Sequence, residues 1–338
     1  MIHGGDLFGY AERNPGRPVL DFSANLNPLG TPEAVVQAIR SAPLDRYPDP
    51  LCRALRRAMA DKWDTEPETI FCGAGAADVI FRLALALKPK RAIVPAPTFA
   101  EYAAALRMTG CEVQSVSIGA EHERFDALIG AVTEDTDLIC LCSPNNPTGL
   151  RITKAQFDAV YARARECGAV ILLDECFGSL CTEPESLYTG QADVILLGSF
   201  TKSFAIPDVR LGFCRSENRA LIEKLYACGQ PWAVTGAAQA AGMAALNEEE
   251  FLARSRAYLA EQREYLISNL RALGYRVIDG QANFLLCRAE RNICSAAEQR
   301  GILLRSCANF DGLDDTWFRI AVRTQEENRV LIRTLEGL

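Results

Sequence analysis

Lys202 stands in the run Ser199-Phe200-Thr201-Lys202, directly after the apolar stretch Val194–Leu197, and Arg210 follows eight residues later. Most lysines belong to solvated surfaces. A lysine at the end of a buried strand differs, because burial lowers its pKa and frees the amine for Schiff-base chemistry. Three other places carry comparable promise. Asp174 follows four apolar residues, and a carboxylate ending a buried strand needs a partner; capping the next turn is its plainer role. Asn146 lies in Ser143-Pro144-Asn145-Asn146-Pro147-Thr148-Gly149, after the apolar run Leu138–Cys142. Gly75-Ala76 opens a helix whose first N–H groups and dipole can hold a phosphate, although such turns also need glycine for backbone reasons alone.

The elements that must position these residues alternate along the chain. The pattern predicts strands at 70–72, 91–95, 112–117, 138–142, 169–173, 193–198 and 209–214, with helices between most of them. Thr153 is the expected cap of a helix reaching about 167. Interleaved strands and helices imply an α/β fold with a mostly parallel sheet and helices on both faces. Ligands then collect beyond the carboxyl ends of the strands, where all four candidate positions fall. After Trp232 the pattern changes to long helices at 234–246 and 249–273 and short strands at 275–278, 283–288, 302–305 and 317–322. That reads as a smaller α+β domain. Residues 1–31 are dense in Asn, Pro and Gly and read as an arm of turns. The expected division is an arm with part of the small domain at 1–47, a large domain at 48–248 and a small domain at 249–338.

Composition narrows the function. Among 338 residues, 36 Lys and Arg against 43 Asp and Glu leave a net charge of −7. That mild acidity argues against nucleic acid or an anionic membrane as the main partner. The thirteen cysteines are an odd number, many in strand-like runs, and the chain has only two histidines. They read as small core hydrophobes, since a chain of this size needs no disulfide staples. Cys140 and Cys142 fall on one strand face with no second pair at zinc-finger spacing, so no metal is expected. No run of ~18 apolar residues and no apolar N-terminal signal region stands out. A cytoplasmic enzyme is the expectation.

Taken together, Asn146-Pro147-Thr148-Gly149, Asp174, Ser199-x-x-Lys202 and Arg210 resemble the signature of fold-type I pyridoxal-phosphate enzymes, the aspartate aminotransferase superfamily. The resemblance spans nearly the whole chain. It implies a large domain with a mostly parallel seven-stranded sheet, a smaller α+β domain, and pyridoxal 5'-phosphate as cofactor. Lys202 would hold the cofactor as a Schiff base, and Asp174 would keep the pyridine nitrogen protonated. Asn146 would donate to the phenolic oxygen, while Gly75, Ala76, Ser199 and Arg210 would hold the phosphate. Phe99 would stack on the ring, with a core phenylalanine as the plainer alternative. Tyr47 looks like the tyrosine that reaches the cofactor phosphate of a second subunit, which implies a homodimer with shared active sites. One departure stands out. Many members carry tyrosine three residues after the ring-nitrogen aspartate, and here the residue is Phe177.

The cofactor motifs do not name the reaction. His3-Gly4-Gly5, the run Asp21 to Gly30, Asp174-Glu175-Cys176-Phe177, Thr201 to Pro207, Arg305 to Phe310 and Phe318 to Thr324 resemble the threonine-phosphate decarboxylases of cobalamin biosynthesis. That group is close to the histidinol-phosphate aminotransferases, whose reaction is the alternative; Phe177 and Ile206-Pro207 lean to the decarboxylase. Arg319 matches the superfamily arginine for the substrate α-carboxylate. His3, Arg305 and Arg323 could surround a substrate phosphate, with Asn25 positioning it. For His3 a disordered terminus is the alternative. Arg323 lies four residues beyond Arg319, so strand alternation would put both on one face.

Overall fold

The computed structural model describes residues 3–338. Its centre is a seven-stranded sheet ordered Ile70–Gly73, Gly212–Arg215, Val194–Ser199, Val170–Asp174, Leu138–Cys142, Arg91–Ala96 and Glu112–Ser117. Only Gly212–Arg215 runs antiparallel to its neighbours. The middle strands are apolar up to their carboxyl ends because both faces are covered. Leu172 packs with Cys140, Phe71 and Leu83 on one face. Leu173 and Leu141 pack with Phe157 and Val160 on the other. The period of two therefore sends Asp174 to the same side as Leu172.

Helix Lys154–Cys167 begins on a capping box in which Thr153 and Gln156 exchange side-chain and backbone bonds. Two differences from the sequence pattern concern the site. The strand before Lys202 stops at Ser199, and Phe200–Ser203 forms a short helical turn with Ser199 as its cap. Lys202 therefore follows the strand, as expected, but sits inside a helical turn. The strand expected from 209 begins at Gly212, so Arg210 lies in the loop before it.

The C-terminal part carries an antiparallel sheet ordered Arg305–Ser306, Trp317–Ala321, Phe284–Arg288 and Arg276–Val277. It packs on the long helix Glu249–Ala272 and the last helix Gln325–Glu336, through Leu259, Leu266, Phe318, Ile320 and Leu331. The first residues are not turns alone. Helix Leu7–Arg13 is capped by Asp6, whose carboxylate accepts from Gly9 N at 2.8 Å. Leu20–Asp21 then pairs in parallel with Ile302–Leu303. The fully buried Phe22 joins the C-terminal core, contributing roughly 2 kcal/mol of transfer free energy. Arm and C-terminal sheet thus share a core.

Candidate active site

A cavity of about 360 Å³ opens at the carboxyl ends of the central strands. Asp174 ends its strand in register with Cys142 on one side and Leu197 on the other. Ser199 ends the next strand opposite Gly212. From the large sheet, Ala76, Asn146, Asp174, Ser199, Lys202 and Arg210 line the cavity. Phe99 enters from the loop before helix Glu101–Met108. The arm adds His3 and Asn25, and the C-terminal sheet adds Arg305 and Arg319.

Lys202 opens onto the cavity but is otherwise surrounded by protein. Its pKa is lowered to about 8, first by burial and then by the nearby positive charge of Arg319, with Cys176 opposing and Arg210 adding a smaller push. With a pKa of about 8 a far larger share of the amine is neutral at physiological pH than for an ordinary lysine, and that share is a nucleophile for a carbonyl carbon.

Asp174 is held from both ends. Tyr102 Oη donates to Oδ2 at 2.5 Å, and Cys176 N donates to Oδ1 at 2.8 Å. Burial raises the carboxyl pKa, and these two donors pull it back down. Tyr102 is itself buried, and its hydroxyl pKa is pushed well up by burial and by Asp174. The phenol therefore stays a donor.

Arg319 is buried and bonds across the cavity floor. One guanidinium nitrogen donates to Asn146 Oδ1, and Nη2 donates to Ser23 O at 3.0 Å. Burial lowers its pKa to about 10. Arg305 is directly opposite Arg319 in the antiparallel ladder. Its Nη2 donates to Asn309 Oδ1 at 2.8 Å.

The sequence profile "Aminotransferase class I and II" matches residues 17–335. The chain belongs to the class I and II aminotransferases. Within them it is 34% identical to the threonine-phosphate decarboxylase of Salmonella typhimurium, over 95% of this chain and 91% of that one. It is 32% identical to the histidinol-phosphate aminotransferase of Symbiobacterium thermophilum, over 96% and 94%. The solved histidinol-phosphate aminotransferase of Clostridium acetobutylicum superposes with a TM-score of 0.86 at 27% identity, covering 94% of this chain and 98% of that one.

Class I and II aminotransferases use pyridoxal 5'-phosphate, and the residues present fit it. A buried amine of lowered pKa, a buried carboxylate and a phosphate cradle share one cavity. Asn25 Oδ1 and Arg319 Nε are buried without a partner, which an aminotransferase ligand would correct. Helix Ala76–Leu87 has no side-chain cap, so its first N–H groups remain for an anion. Gly75 does not line the cavity itself. It holds φ at +88°, and a Cβ there would strike the Arg210 guanidinium. Glycine is what lets the helix start meet Arg210.

Two sequence candidates lie elsewhere. The expectation for Arg323 is corrected: the strand ends at Ala321, so alternation from Arg319 does not reach it. Its guanidinium instead donates to Asp21 O at 3.0 Å and Glu327 Oε1 at 2.6 Å, outside the cavity lining. Tyr47 is 78% exposed and stacks on Trp232 with ring centroids 4.7 Å apart. It lies away from this chain's own cavity.

Sequence reasoning missed Tyr102, Glu101 and Phe310, which also line the cavity. Tyr102 carried one faint signal, its place three residues after Phe99 at a helix start. Tyr102→Phe is expected to leave Asp174 with one donor fewer, so the carboxyl protonates at higher pH. A pH titration of the bound cofactor's visible absorbance should show its acid limb moved upward; an unmoved limb would argue against the contact's role.

Proposed function

We propose that the chain decarboxylates L-threonine O-3-phosphate with pyridoxal 5'-phosphate, giving (R)-1-amino-2-propanol O-2-phosphate for cobalamin biosynthesis. The observation carrying this reading is the Arg305–Arg319 pair. The two face each other across neighbouring strands, both largely buried, and both line the cavity. Like charges directly opposite destabilise a sheet, and desolvating them adds to the cost. A ligand with two anionic groups, a carboxylate and a phosphate, offsets both. The name of the Salmonella relative supports the same substrate.

In this reading Arg319 takes the α-carboxylate, while Arg305, His3 and Asn25 take the phosphate. Ala76, Ser199 and Arg210 hold the cofactor phosphate, with Gly75 letting the helix start meet Arg210; Phe99 covers the ring, and Asn146 donates to the phenolic oxygen. Pyridoxal 5'-phosphate, when bound, supplies the sink for the electron pair left on Cα as carbon dioxide departs. Asp174 holds the proton on the pyridine nitrogen. Lys202, released when substrate binds, delivers a proton from Nζ to Cα. Phe177 has no hydroxyl, and its ring packs edge-on against Phe284 at 5.0 Å. The phenolic oxygen is thereby left to Asn146.

The alternative is transamination of the histidinol-phosphate type, supported by the 32% identity to the Symbiobacterium enzyme. Mixing holoenzyme with O-phospho-L-threonine separates the two. Carbon dioxide release with the cofactor staying in its aldehyde state is the expected result. Accumulation of its amine form, cleared by 2-oxoglutarate and without carbon dioxide, would overturn the decarboxylase reading.

The same reading divides the chain into the arm at 1–47, a cofactor unit at 48–248 and a unit at 249–338 that brings Arg305 and Arg319. Leu44, Tyr47 and Trp232 are exposed apolar residues near one another in sequence or by stacking. They suit a homodimer in which Tyr47 reaches the second copy's cofactor phosphate. No described helix is long and apolar enough to cross a membrane, and all thirteen cysteines are free. The free cysteines suit a reducing cytoplasm.

A further inference from the structure

Among the described residues, Glu101 is the one in the cavity lining whose charge runs against the proposed substrate and which the cofactor chemistry does not use. The lining's other carboxylate, Asp174, is accounted for by Tyr102 and Cys176. A bare carboxylate beside the seat of a phosphate would repel it. Glu101 is not bare: His3 Nε2 lies 2.9 Å from its Oε1. Its side chain is 20% exposed, and it sits in the first turn of helix Glu101–Met108, next to the buried Tyr102. One end of the contact is therefore on a rigid element.

The other end is tied down by the arm. Gly4 lies flat against Ser23, where a Cβ would strike the Ser23 carbonyl oxygen. Gly5 N donates to Ser23 Oγ at 2.7 Å, and that hydroxyl donates to Asp21 Oδ1 at 2.5 Å. The Ser23 carbonyl is the one that accepts from Arg319. The strap carrying His3 and the arginine for the substrate carboxylate thus share one residue. The His3 ring also lies 6.1 Å from Phe99, tilted by 51°. Exposed ion pairs contribute little to stability, so the value of this one lies in placement.

We propose that Glu101 is a positioning residue for substrate recognition: it holds the His3 imidazole across the cavity, so that the ring rather than the carboxylate meets the substrate phosphate. The inference rests on the phosphorylated-substrate reading above. With Nε2 engaged by Glu101, the ring meets the phosphate through Nδ1. The pair also sets specificity. An anionic group is accepted only when the strap is in place, because without His3 the same wall presents a negative charge.

The test uses holoenzyme and follows the cofactor's visible absorbance while O-phospho-L-threonine or L-threonine is titrated in. Glu101→Gln is expected to weaken O-phospho-L-threonine by about ten-fold, the scale of a hydrogen bond to a charged group. L-Threonine binding should be unchanged, and kcat at saturation should stay near wild type. His3→Ala should cost more, because it also bares the Glu101 carboxylate, and the double variant should cost less than His3→Ala alone. Glu101→Asp should recover part of the loss. Wild-type affinity in Glu101→Gln, or equal weakening of both ligands, would overturn the inference while leaving the substrate reading intact. A wild-type protein that binds both ligands alike would overturn the substrate reading, and the inference with it.

Discussion

Lys202→Met is expected to abolish turnover and, at the same time, to stabilise the cofactor-free protein. The loss of activity should be about ten-thousandfold or more, since one amine is both the attachment point and the proton donor to Cα. The gain in stability follows from the direction of its shift. The folded-state pKa of about 8 lies below the ordinary 10.5. The buried ammonium therefore weighs against folding at neutral pH, and this penalty fades as pH rises between those two values. Methionine keeps the length and removes the charge. At pH 7 the gain should be on the order of 3 kcal/mol. Denaturant unfolding of the cofactor-free proteins checks this: the gap should close between about pH 8 and 10.5. A constant gap would mean that packing, not charge, separates the two proteins.

The parts of this site that could be read from the sequence are those set by local order. Asp174 and Ser199 end buried strands, and Gly75 precedes a helix, so topology alone carries them to one edge of the sheet. What escaped depends on where chain segments meet or stop. Counting in twos from Arg319 points Arg323 at the site, and the count fails because the backbone leaves the strand after Ala321. The helical turn at Phe200–Ser203 is too short for any periodicity to show. Helix Leu7–Arg13 buries only Tyr10, so its apolar stripe is nearly absent from the sequence. Tyr102 to Asp174 and His3 to Glu101 join residues far apart in the chain, and no local pattern encodes such pairings. The opposition of Arg305 and Arg319 depends on the register of two strands, which sequence spacing left open.

Asp174→Asn is expected to cost about a thousandfold in turnover while leaving the fold intact. The scale is that of removing one pre-organised electrostatic partner from a dry site. An amide at this position cannot hold a proton on the pyridine nitrogen, so the ring no longer draws electrons from Cα. The fold should tolerate the change because asparagine has the same shape and can still accept from Cys176 N. Tyr102, now facing an amide end, can turn its hydroxyl to accept. Stability points the same way. Burial raises the Asp174 pKa above its ordinary value, so the ionised carboxylate weighs against folding at neutral pH and ceases to do so at low pH. Lys202 and Asp174 thus each carry a charge that the cofactor-free fold disfavours, and pyridoxal 5'-phosphate answers both, one through its aldehyde carbon and one through its ring nitrogen. Cofactor binding should therefore raise the melting temperature of wild type by more than that of Asp174→Asn. Equal increments would place the contribution of Asp174 in catalysis alone and not in holding the cofactor.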